Sequence, residues 1–117
     1  MILSRAGRGY TQPAQGAQIN YGHHLALGLV GCWLCNERSG SQIKDATQLN
    51  SGGLLANGAF WTIHPWRGGG ALEFDGVNDS VTFANTATLA VGTKPLSVSA
   101  WLYATNPTNF EDPISYG

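Results

Sequence analysis

GGGALEFDGVNDSVTFANTATLAVGTKPLSVSAWLYATN, residues Gly68 to Asn106, is the stretch on which the fold class turns. Leu72 and Phe74 face one way and Glu73 the other. Gly76 to Asp79 supplies residues that tolerate the positive φ of a turn, and Val81 and Phe83 resume the alternation. This reads as a hairpin with one buried face. A third strand is expected at Leu96 to Tyr103, with Leu96, Val98, Ala100 and Leu102 on one side and Ser97, Ser99, Trp101 and Tyr103 on the other. A side-chain period of two over several short segments predicts an all-β, antiparallel sandwich.

Upstream, LALGLVGCWLC, Leu25 to Cys35, is apolar on both alternating faces, as a strand in the middle of a sandwich would be. Asn36 to Gly40 then reads as a turn, and Asp45 to Gly53 as a loop of Asp, Thr, Asn, Ser and Gly. Leu54 to Trp61 is expected to form a short strand pair around Asn57 and Gly58, and Pro65 to Gly70 a connector. No sustained helical periodicity is present. Residues 1–24, with Gly, Gln, Ala, Thr and Pro from Gly7 to Gln18, read as an extended N-terminal arm or linker, and residues 25–117 as the sandwich.

The 117 residues suit one domain, and 43% hydrophobic residues can build a core without disulfides or metals. Only 11% of residues are charged, and sixteen glycines stand among many Ser, Thr, Asn and Gln residues, so the surface is polar but nearly uncharged. A net charge of −1 with scattered Lys and Arg provides no basic stripe for phosphates, which argues against nucleic acid as a partner. No run reaches membrane-spanning length. Arg5 and Arg8 interrupt what would have to be the apolar centre of a secretory signal, so neither a membrane nor export by that route is expected.

GLVGCWLCNERSGS, KDATQLNSGG, ANGAFW, GGALEFDGVNDSVTF and LSVSAWLYA follow in an order and spacing that resembles a laminin-G-like domain of the concanavalin A-like lectin/glucanase superfamily. The resemblance runs from about Gly28 to Trp101. It rests on the W-x-x-N-E-x-x-G opening at Trp33 to Gly40, on FDGVND followed by an alternating strand, and on S-x-S-A-W ending at Trp101. It implies two antiparallel sheets packed face to face as a jelly roll, and a role in binding carbohydrate or protein. A domain of that kind continues through further strands after the one ending at Trp101, so the sandwich is expected to be incomplete at its C-terminus. Its exposed edges would then be finished by more chain or by another subunit.

The residues capable of chemistry each carry two readings. Cys32 and Cys35 have the C-x-x-C spacing of a redox pair or half a zinc site. In a strand, however, that spacing sends the sulfurs to opposite faces, and no helix begins after Cys35, so buried structural cysteines are expected. His23 and His24 read as surface or packing residues. Asp75, Asn78 and Asp79 offer oxygens to a calcium ion, with Asp45 and Glu37 as further ligands. The same residue types are also the commonest turn formers, bonding their own backbone. Trp101 and Tyr103 lie opposite the aliphatic face of their strand, where a ring can stack on a sugar or be covered by a neighbour, and Trp61 and Trp66 are candidates for a binding rim. Trp33 is expected in the core.

Neither G-x-S-x-G nor the E-x-D-x-x-E strand motif of the glucanases occurs, so no enzyme activity is expected and no catalytic residue is assigned. Taken with the absence of an expected secretory signal, the resemblance implies a structural or adhesive module of a phage particle, such as a decoration or fibre protein. It would contact other virion subunits or its own copies through the arm, and its localisation would be the virion. The alternative is a carbohydrate-binding module of a longer secreted or cell-surface protein, with a glycan as ligand.

Overall fold

The computed structural model describes residues 12–63, 69–84, 89, 92, 94–105 and 114. Its regular structure is almost entirely β. One 3₁₀ turn, His24–Ala26, precedes strands β1 (Gln42–Ile43), β2 (Gly53–Ala56), β3 (Phe60–Ile63), β4 (Gly70–Glu73) and β5 (Ser80–Thr82). These form a three-stranded antiparallel sheet in the order β1-β2-β5 and a two-stranded antiparallel sheet, β3-β4. The all-β expectation is met at this level, in small sheets.

The pairing differs from the expected hairpins. β4 and β5 flank the Gly76–Asp79 turn yet do not pair with each other, and neither do β2 and β3 on either side of Asn57–Gly58. Instead Leu54 faces Thr82 and Ala56 faces Ser80, while Phe60 faces Glu73 and Ile63 faces Gly70. Residues 53–63 and 70–82 thus form the two arms of one long antiparallel pairing, and both arms break midway, at 57–59 on one side and 74–79 on the other. The longer second break shifts the register between the two paired segments. Asn57 has φ 63° and Gly58 φ 124°, so both leave the strand conformation at the first break. At the second break the Asp75 carboxylate accepts the Val77 and Asn78 N–H groups, which otherwise would enter a ladder. The breaks are tied together by the Asn57 amide, which donates to the Asn78 carbonyl at 2.9 Å.

Two further expected strands are absent. Leu25 to Cys35 is the short 3₁₀ turn followed by irregular chain, and only Trp33 makes an isolated antiparallel bridge, to Asp45. The backbone groups of this segment are taken by a loop instead of by neighbouring strands. Cys32 N–H donates to Asp45 Oδ1, Ala46 N–H donates to the Cys32 carbonyl, and the Asn50 amide donates to the Val30 carbonyl. Without a sheet on either side, its aliphatic residues are not enclosed, and Leu25 and Leu27 are exposed. The segment 95–105 likewise contains no strand, and Leu96, Val98, Trp101, Leu102 and Tyr103 are exposed.

The core that does form is small. Ile43 is the one buried apolar side chain among the described residues. Beside it Trp33 lies tilted on Phe83 with ring centroids 4.7 Å apart, half-buried rather than fully enclosed. Glycine makes this contact possible: a methyl at Gly53 would sit 2.5 Å from both Phe83 Cε1 and Val81 Cγ1. From Gln12 onward the N-terminal segment lies on the body. The Gln12 side chain accepts from the Gly70 N–H at 2.7 Å and donates to the Leu34 and Gly70 carbonyls at 2.7 and 2.9 Å, matching a missing peptide group at the start of β4.

Candidate functional site

The polar cluster most completely enclosed is centred on Asp45, which is 7% exposed. Its Oδ1 accepts from the Cys32 and Thr47 N–H groups, and its Oδ2 from the Thr47 hydroxyl, the Asn50 N–H and the Asn50 amide. Burial pushes this carboxyl up, but the hydrogen bonds from Thr47, Cys32 and Asn50 outweigh it and hold it below the ordinary aspartate range. Five donors occupy both oxygens. Asp45 therefore serves as the post on which the 30–33 segment and the 45–50 loop are hung.

Next to it, Glu37 Oε1 accepts the Lys44 N–H at 2.6 Å, while Glu37 Oε2 is shielded from solvent and has no hydrogen-bond partner. Glu37 and Lys44 line a shallow recess of about 130 Å³, together with Gly16, Ala17, Gln18, Leu34, Asn36, Ala46 and Gln48. Its wall is fixed from the N-terminal side. Gln15 donates to the Asn36 and Glu37 carbonyls at 2.8 and 2.6 Å, and the Asn36 amide donates to the Pro13 carbonyl at 2.6 Å. Gln48 sits at φ 61°, a left-handed conformation that a glutamine adopts only where its surroundings hold it.

Of the expected cation ligands, Asp75, Asn78 and Asp79 share the exposed second break of the hairpin. Asp75 Oδ1 is engaged by the Val77 and Asn78 N–H groups, and the first of these bonds leads in holding its carboxyl below the usual value. Asp79 Oδ2 accepts from the Asp75 N–H, and Asp79 Oδ1 is buried under Gly58 without a partner. These bonds are the ones an aspartate turn makes to its own backbone. Glu37 lines the recess, and Asp45 is taken up by its bonds to Cys32, Thr47 and Asn50. Among the described residues no three His, Cys, Asp or Glu side chains are gathered to hold a metal ion.

The expected aromatic residues are spread over separate places. Trp101 is 97% exposed and Tyr103 is exposed beside it. Trp61 is half-buried, its indole N–H donating to the Gly40 carbonyl at 2.8 Å. Trp66 lies outside the described residues. Cys32 and Cys35 are free thiols and half-buried. Burial, then Asp45, raises the Cys32 thiol, and burial, then Glu37 and Cys32, raises that of Cys35. Such thiols are poor nucleophiles at neutral pH. Cys35 has φ 53°, so the strand geometry assumed for the pair does not apply. His23 and His24 stack on each other with centroids 4.4 Å apart.

Gln12, Gln15, Gln18, Lys44 and Gln48 were not marked by any motif. The signal that bore on them was the run of glutamines in QPAQGAQ, residues 12–18, which carries amide bonding capacity that a linker does not need. Among the described residues no helix is long and apolar enough to cross a membrane. Compared with protein-family models, with curated proteins and with solved structures, the chain matches none.

Proposed function

We propose that this chain is a non-enzymatic structural or adhesive module of a phage particle, such as a decoration or fibre protein. Its strands would belong to a jelly-roll sandwich of the laminin-G or concanavalin A-like kind. The observation that carries this reading is the row of exposed apolar side chains at Leu96, Val98, Trp101, Leu102 and Tyr103, set in a surface with few charges. A segment of that kind is covered when further strands or neighbouring subunits dock on it. Light scattering behind a sizing column tests this reading. A discrete oligomer supports it, and a stable monomer that binds hydrophobic dye overturns it.

The second reading is a carbohydrate-binding module of a longer secreted or cell-surface protein. It is favoured by Trp101, whose ring is almost wholly exposed and so open to stacking on a sugar. Loss of glycan binding on Trp101→Ala supports this alternative, and unchanged binding removes Trp101 from it.

A further inference from the structure

The body of the chain presents a row of acceptors that its own N-terminal segment reads. Cys35 at φ 53° and Arg38 at φ 61° bend the backbone away from an extended course. The four successive carbonyls from Leu34 to Glu37 all accept from residues 12–15. The Gln12 amide reaches the first two at 2.7 and 3.3 Å, and the Gln15 amide the last two at 2.8 and 2.6 Å. A return bond runs from the Asn36 amide to the Pro13 carbonyl. At the start of β4, Gln12 meets both the N–H and the carbonyl of Gly70, as a residue of a neighbouring strand would. Two carboxamides three positions apart, with a proline carbonyl between them, are the chemistry this surface accommodates.

We infer that this surface is a binding site for the Gln-Pro-x-Gln segment, Gln12 to Gln15, and that in the assembled protein it takes that segment from a second copy of the chain. Pro13, Ala14 and Gln15 are exposed, so the segment is held by hydrogen bonds and not by buried apolar area. Bonds of that kind contribute about 0.5–1.5 kcal/mol each and are made equally well by the same segment of another copy. Residues 20–29, which join the segment to the body, are mostly exposed and coiled in short turns of their own. These are closed by His23 N–H to the Asn20 carbonyl, Ala26 N–H to the His23 carbonyl and Leu29 N–H to the Ala26 carbonyl. Drawn out, such a stretch spans about 30 Å, enough to carry Gln12 and Gln15 onto a neighbour. Exchange keeps every bond listed above and changes only the course of the connector, so it costs little. A body with one buried apolar side chain among the described residues gains from a neighbour held against it. This inference rests on the structural-module reading above and names the contact by which copies would hold one another.

A fluorescent peptide of residues 12–18, capped at both ends and titrated to millimolar concentration against the full chain, tests the site by anisotropy. It should bind Gln12→Ala/Gln15→Ala, whose own segment no longer competes, about tenfold or more tightly than it binds the parent chain. The same peptide with both glutamines replaced by alanine should not bind. Light scattering tests the exchange: excess unlabelled peptide should convert the parent oligomer to monomer, and the double variant should be monomeric without it. The competition uses the unaltered chain, so it decides the matter even if the double variant fails to fold. The inference is overturned if the peptide binds neither chain, if it binds both equally, or if the parent oligomer persists in saturating peptide. An oligomer that persists leaves the structural reading standing, held by another surface, whereas a parent chain that is monomeric throughout overturns both.

Discussion

Asp45 and Gly53 show how much of this small fold depends on single side chains. Asp45→Ala strips the acceptor from five hydrogen bonds in a buried setting, and urea unfolding should report a loss of about 2 kcal/mol or more. Because the folded carboxyl is held below its ordinary value of 3.8, its contribution is fully present above that value and is lost as pH falls through it toward the folded pKa. The urea midpoint should therefore drop between about pH 5 and about pH 3. Part of that drop should be missing in Asp45→Asn, and this comparison separates Asp45 from Asp75, whose carboxyl is also lowered. Gly53→Ala would press a methyl into Phe83 and Val81, and a loss of about 1–3 kcal/mol is expected. Neither role could be read from the residue's neighbours in sequence. Asp45 stood out as an oxygen donor, but its burial depends on where Cys32 and Asn50 come to lie.

The elements were legible one at a time and their partnerships were not. Alternation at Leu72 to Phe74 and at Val81 to Phe83 locates two strands, since a period of two marks a strand and its faces. It says nothing about which strand lies alongside. Turn residues at Gly76 to Asp79 therefore looked like a hairpin tip, whereas they form a break within one arm of a longer hairpin. Leu25 to Cys35 misled for a related reason, because a run apolar on both faces becomes a strand only if sheets are present to enclose it. The paired breaks carry a prediction of their own. Asn57→Ala removes the bond to the Asn78 carbonyl and puts alanine at φ 63°, so a loss of about 1–2 kcal/mol is expected in denaturant titration. Asn57→Gly, which also lacks that bond but accepts the positive φ, should recover only the backbone part of it.

For the whole molecule, the balance between inside and outside is the governing fact. With Ile43 as the one buried apolar side chain among the described residues, much of the aliphatic and aromatic content faces outward. Composition announced this chain as able to build a core, and composition counts apolar residues without saying whether there are layers enough to enclose them. Trp101→Ala should leave the unfolding free energy of the isolated chain within about 0.5 kcal/mol, because an exposed ring has little to lose. The same change should weaken self-association in a dilution series followed by light scattering. A matching loss of chain stability and association would mean instead that Trp101 is covered within its own subunit.

The Gln12 clamp has a consequence in time as well as in space. Gln12 reaches Gly70, separated from it by 58 positions, while every partner within 53–82 is reached through local hairpin growth. Loop closure favours the short connections first, so the broken hairpin can assemble alone and the Gln12 bonds to Gly70 can form only once β4 is in place. During synthesis Gln12, made well before Gly70, would then wait longest for that partner, and it would act as a latch that closes after β4 has arrived.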